Sequence, residues 1–326
     1  MNSLPVELIV MILCKLISYD DIKMFIGLNK RIRRIYDMNK CVISKRLVEI
    51  FEIDYMDCNN FIYVMNECDI PMLFDVEYDW VEIIRLYFRF YNLEYIDCSD
   101  RRISGIPLYP NVLTLKCGMN NLYRLPRFPK LVILECYCNN ISYLPEYPML
   151  QVLNCFRNEL SELGDYPLLN YLECDYNELR EIPLYPLLKV LKCIGNKLGC
   201  IKEYPLLKRL VCCENNLMQL PELNNLELLE CGDNDLTVLP KYPLLKVLNC
   251  WHNNITNLLE YPLLRDLNCD NNMLTSLPEY PFLENMSCET NYIMELPRYP
   301  KLRYLYCSDN NITKMNEYPS LLFYRV

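Results

Sequence analysis

Glycine and histidine are almost missing from this chain: seven glycines and a single histidine, His252, in 326 residues. So few glycines leave no Gly-rich loop to cradle a phosphate. A lone histidine makes a Ser-His or Cys-His catalytic arrangement depend on His252 alone. It falls two residues after Cys250, at a strand exit, where a surface role is expected. No apolar run approaches the roughly 18 residues of a membrane-spanning helix. Glu7 precedes the greasy stretch 8–13 and no basic cluster opens the chain, so a signal peptide is not expected and the location read from the sequence is cytoplasmic. The 19 cysteines include no C-x-x-C pair, which argues against a zinc site. No catalytic residues, metal or cofactor are expected, and the chain reads as a non-enzyme.

Positive charge is also scarce where nucleic acid would need it. Residues 1–50 carry nine basic and five acidic side chains, a net of +4. Residues 51–90 carry two and nine, a net of −7, and the remaining 22 and 28 give −6, so the whole chain stands at −9. Nucleic-acid affinity rests on neutralised phosphates, so an acidic bulk excludes that partner class. The one basic run, 30–34, reads as the solvated face of a helix. No membrane partner is expected either.

What the chain has in abundance is a period. Twelve cysteines, from Cys98 and Cys117 to Cys288 and Cys307, stand 19 residues apart. An apolar residue falls five before each of them and another two before, as Leu150 and Leu153 do for Cys155. Asn follows three residues after the cysteine in eleven of the twelve units, from Asn120 to Asn310, with Arg101 in the first. Aliphatic residues recur five and eight after the cysteine, the latter usually followed by Pro, and an aromatic-Pro pair such as Tyr147-Pro148 closes nearly every unit. The exception is Leu223-Asn224.

Around each cysteine the pattern alternates apolar and polar, the period of a short strand of about five residues. The prolines that follow forbid helix and favour an extended return path. A 19-residue unit of this kind cannot bury a core alone, so neighbouring units must stack. The cysteine column reads as small apolar core residues and free thiols. The Asn column reads as a set of amides that satisfy backbone groups where the chain leaves each strand.

Written out, the unit L-x-x-L-x-C-x-x-N-x-L-x-x-L-P-x-Y-P-x resembles the leucine-rich repeat across residues 91–326, and its short Pro-rich form is similar to the repeats of bacterial effector proteins. The resemblance implies a solenoid with a parallel inner sheet and a Pro-rich, extended convex side. Twelve repeats are followed by a partial last strand. No catalytic domain is expected behind them. Leu321, Tyr324 and Val326 hold the repeat positions of that strand with no polar cap, which predicts weak end-to-end self-association or fraying.

Residues 1–90 lack the period. Leu4-Pro5-x-Glu7-Leu8, then Ile12, Leu13, Leu16, Ile22 and Phe25, recur at helical spacing. This pattern over residues 2–42 resembles the F-box, so the overall class is α+β: an F-box-like helical domain in 1–45, a helical linker or cap in 46–90, and the solenoid in 91–326. The resemblance implies that Leu4, Pro5, Leu8, Ile12, Leu13, Leu16, Ile22 and Phe25 face or support a Skp-family adaptor. It also implies that the chain is the substrate receptor of a cullin-type ubiquitin ligase, with the repeats holding a target protein. Ile32 and Cys41-Val42 stand where that family often has Trp and Leu-Trp. The alternative is that these helices only cap the first repeat, and the chain is an interaction module without ubiquitin chemistry. F-box proteins with leucine-rich repeats occur in large DNA viruses, whose Asn-, Tyr- and Ile-rich, Gly-poor composition this chain shares; the location would then be host cytoplasm.

The residues three before, one before and one after each periodic cysteine should line the concave face. Two aromatic clusters fall there. Tyr137, Phe156 and Tyr171 are edged by Glu135, Glu173 and Asp175; Trp251 stands with Val247 near Asp266 and Asp270. These are the candidate target-binding residues, since exposed aromatics in a groove are common anchors. The competing reading is that they pack across strands and stiffen the sheet.

Overall fold

All but one of the units turn their corner at the aromatic-Pro pair. Pro sits second in a four-residue turn, its preset φ matching that position. The turn closes when the amide of the next apolar residue donates to the aromatic residue's carbonyl, as Leu150 N to Tyr147 O at 3.1 Å. Leu226 N closes on Leu223 O at 3.0 Å in the unit that lacks the pair, so the turn does not depend on Pro there. The computed structural model describes residues 93–325 apart from 107, 108 and 110. The F-box-like segment, the cap and their candidate adaptor contacts lie outside the described residues.

Thirteen strands follow from the repeat: β1 (Tyr95–Asp97), β2 (Thr114–Lys116), β3 (Ile133–Glu135), β4 (Val152–Asn154), β5 (Tyr171–Glu173), β6 (Val190–Lys192), β7 (Arg209–Val211), β8 (Leu228–Glu230), β9 (Val247–Asn249), β10 (Asp266–Asn268), β11 (Asn285–Ser287), β12 (Tyr304–Tyr306) and β13 (Phe323–Arg325). They form one sheet in chain order. Pairing is parallel throughout and steps one unit at a time, Leu153 opposite Leu172 and Leu172 opposite Leu191. Each strand is three residues long, against the five expected. The physical reason lies just past the cysteine. The residue two after it adopts a left-handed backbone in all twelve units, from Asp100 (φ 55°) to Asp309 (φ 57°), with Gly195 (φ 60°) the only glycine among them. That conformation swings the chain out of the strand direction.

No helix is present among the described residues, so the return path is extended as the prolines demanded. Leucines two and five before the cysteine, the cysteines and the aliphatics behind them form one continuous buried core. The cysteine thiols occupy the third core position, and burial pushes Cys136 up to about 12, which keeps it a neutral packing group.

Two polar ladders stitch the units. Asn158 Nδ2 donates to the carbonyls of Cys136 in the preceding unit and Cys155 in its own, at 2.9 and 3.1 Å, while its Oδ1 accepts from Ile141 N at 3.0 Å. The same three-way bridge recurs along the column, as at Asn234. The tyrosines of the Tyr-Pro pairs are fully buried, and neighbouring rings stack with centroids 6.1 to 6.4 Å apart. From Tyr147 to Tyr318 each of their hydroxyls donates to a carbonyl of the preceding unit, Tyr185 to Gly164 O at 2.8 Å and Tyr299 to Pro278 O at 3.0 Å. A buried tyrosine needs such a partner for its hydroxyl. At the far edge, Leu322, Phe323 and Tyr324 are exposed, and among the described residues β13 pairs with β12 alone.

Candidate functional site

The middle residue of each strand points inward, so its two neighbours and the residue one past the cysteine share the outer face of the sheet. The left-handed residue that follows determines where that last side chain goes. On the first half of the face, the structure brings most of the candidate residues together. Tyr137 and Phe156 lie with ring centroids 6.5 Å apart, and Phe156 meets Tyr176 edge-on at 6.2 Å. Arg157 caps this row, its guanidinium carbon 5.2 Å from the Phe156 ring and 5.7 Å from that of Tyr176. Tyr176 and Arg157 were not among the residues selected from sequence. Both occupy the left-handed column two after the cysteine. An aromatic there, 20 residues after one at the preceding position, is the signal that would have found them.

The acidic residues beside these rings are not free. Glu135 is paired with Lys116 at 3.0 Å across β2 and β3. Glu173 receives the Tyr171 hydroxyl at 2.5 Å and Lys192 at 3.2 Å, with Lys192 also 5.9 Å from the Tyr171 ring centroid. Asp175 is only 7% exposed and accepts from Ile194 N at 2.7 Å. Its burial pushes the carboxyl up to about 6, outweighing that hydrogen bond. The acidic rim expected around the aromatics is thus tied up by its own neighbours.

Trp251 stands apart. Five units separate it from Phe156, roughly 24 Å at the usual strand spacing. Its indole stacks on His252 with centroids 5.9 Å apart, and His252 meets Asp233 at 2.7 Å on the surface. The aromatics also explain three of the scarce glycines. A Cβ on Gly118 would lie 2.5 Å from the Tyr137 ring, one on Gly195 the same distance from Tyr176, and one on Gly232 2.2 Å from the Trp251 nitrogen. Each ring lies over the backbone of an adjacent unit. Cross-strand packing is therefore part of what Tyr137 and Trp251 do, and their outer surfaces remain partly open.

The second half of the face has a different character. A recess of about 320 Å³ spans β8 to β12, lined by Glu230, Asn249, Asp266, Ser287, Tyr304 and Tyr306 among others. Among the described residues no cluster of three or more His, Cys, Asp or Glu is arranged to hold a metal ion, and no helix is long and apolar enough to cross a membrane.

No protein-family model matches the chain, and no curated protein sequence does. Solved structures do. YopM from Yersinia enterocolitica is 26% identical, covering 82% of this chain and 72% of its own, with a TM-score of 0.60. The functional domain of InlJ from Listeria monocytogenes, described as including a cysteine ladder, is 25% identical over 73% of this chain and 54% of its own, with a TM-score of 0.61. The leucine-rich-repeat domain of APL1 is 22% identical over 74% of this chain and 75% of its own, with a TM-score of 0.63. The described residues form a leucine-rich-repeat solenoid built on a single parallel sheet.

Proposed function

We propose that this chain is a protein-binding scaffold, and more specifically the substrate receptor of a cullin-type ubiquitin ligase. The segment 1–45 would dock a Skp-family adaptor, and the outer face of the sheet would hold the target. The observation that carries the scaffold reading is the open thirteen-stranded face with its row of Tyr137, Phe156, Tyr176 and Arg157. Rings braced on adjacent units and capped by an arginine are rigid, so a partner that covers them loses little side-chain freedom on binding. The adaptor part rests on the F-box resemblance of Leu4, Pro5, Leu8, Ile12, Leu13, Leu16, Ile22 and Phe25.

The test uses the full chain as bait in eukaryotic cytosol, with two variants. Pro5→Ala with Leu8→Asp should abolish capture of a purified Skp-family adaptor while the repeats stay folded. Phe156→Ala with Tyr137→Ala should abolish target capture and keep the adaptor. Equal adaptor capture by parent and first variant overturns the ligase reading and leaves an interaction module. Unchanged target capture by the second variant removes the first half of the groove as the binding surface.

A further inference from the structure

The two halves of the sheet face handle charge differently. On the first half each groove lysine has a carboxylate on a neighbouring strand, Lys116 with Glu135 and Lys192 with Glu173. On β8 to β12 none of the groove positions is Lys or Arg, yet four are acidic: Glu230, Asp266, Asp270 and Glu289. Among the described residues no ion pair reaches any of the four. Lys246 and Arg265, which precede β9 and β10, are engaged by Glu227 at 2.6 Å and Glu284 at 2.9 Å. Arg209 on β7 and Arg325 on β13 are the nearest groove cations, and both lie beyond the recess.

The same strands hold acceptors without donors. Asn154 and Asn268 each take the amide two residues on, Phe156 N at 3.2 Å and Asp270 N at 3.0 Å. Asn249, at the equivalent position between them, has its Oδ1 buried with no donor, and so has Glu289 Oε1. Asp270 has gathered what lies nearby, the Ser287 hydroxyl at 2.7 Å and Glu289 N at 2.6 Å. Asp266 takes the Asn285 amide. Buried acceptors normally find donors, so a face that leaves Asn249 Oδ1 and Glu289 Oε1 without one is short of donors there.

We propose that the recess across β8 to β12 binds a lysine- or arginine-bearing extended segment of a protein partner. This rests on the scaffold reading above and names the chemistry of what one half of the groove takes. Spacing favours a peptide over a single ion. Glu230 and Asp266 stand two strands apart, roughly 10 Å, which is about three residues of extended chain. Carboxylates so separated suit two cations on one peptide, and the described residues offer no converging metal cluster. Tyr304 and Tyr306 line one end of the recess and supply faces for the aliphatic stems or the cations themselves.

The test is fluorescence anisotropy with a labelled ten-residue peptide carrying Lys at every third position among Ser and Tyr, and with its Glu counterpart. The full chain should bind the first and ignore the second. Glu230→Gln with Asp266→Asn should weaken binding by about tenfold or more. Glu260→Gln with Glu279→Gln removes the same charge from exposed positions outside the groove and should change it less than about twofold. Asn249→Asp adds a carboxylate at the orphaned acceptor and should tighten binding severalfold, with no need to remove any residue. Equal weakening by the two double variants overturns the proposal, since attraction to an acidic surface alone would explain it. A chain that captures a target through Phe156 yet ignores the Lys peptide overturns it too, and leaves the scaffold reading intact.

Discussion

Replacing Asn196 by Ala should break the solenoid at one joint. Asn196 lies 8% exposed in the middle of the column. Its Oδ1 accepts from Leu179 N at 3.0 Å, and its Nδ2 donates to Cys174 O and Cys193 O at 3.0 and 3.3 Å. The two carbonyls keep a second donor each, Asn177 Nδ2 at 3.1 Å and Asn215 Nδ2 at 2.9 Å. Leu179 N has no substitute. One orphaned buried amide costs about 1–3 kcal/mol, and the weakened carbonyls bring the total to about 2–4 kcal/mol. The loss falls on the contact between two units, and stability in a stacked array is a sum of unit and interface terms. The unfolding transition should therefore split. The assay is urea unfolding in a Trp80→Phe background, so that Trp251 reports the C-terminal half while circular dichroism reports the whole. Coincident transitions in the parent and separated midpoints in the variant are expected. Asn216→Ala, exposed one residue past the next unit's Asn215, should change stability by less than about 0.5 kcal/mol. If Asn196→Ala costs no more than Asn216→Ala, the amide ladder does not hold the units together.

Two other consequences can be measured. The Asp175 carboxyl, pushed up to about 6, lies above the unfolded value near 3.9, so the folded chain holds the extra proton between them and stability falls as pH rises through that window. Asp175→Asn keeps an acceptor for Ile194 N and removes the penalty. Its advantage over the parent should be small near pH 4 and reach about 2–3 kcal/mol above pH 7, read as a melting-temperature difference; a difference independent of pH refutes the assignment. The periodic cysteines should be free thiols shielded from solvent. Among the described cysteines, brief iodoacetamide labelling with peptide mapping should modify exposed Cys200 first and leave Cys136, Cys155 and Cys174 unmodified until the chain unfolds. Early labelling of the ladder, or disulfides among its members, would contradict the core described above.

The stacking of the units is already legible in the repeat. A strict 19-residue interval forces every unit into one conformation, and a unit too small to bury its own apolar residues must lie against its neighbours in parallel. The roles of the cysteine and asparagine columns follow from the same logic, because a recurring small apolar residue and a recurring amide have only the core and the backbone to serve. Tertiary structure alone decided what the outer face presents. The left-handed residue after each cysteine cut the strands to three residues and aimed Tyr137, Phe156 and Trp251 onto adjacent units, an effect of backbone geometry that no periodicity encodes. Lys116 and Glu135 are 19 residues apart and look like two independent charges in the sequence; the parallel register makes them partners. Glu230 and Asp266 look no different from them until the same register shows that no cation stands opposite. Periodicity records which residues are buried. Charge pairing depends on neighbours one unit away on either side, and only the assembled sheet brings those together.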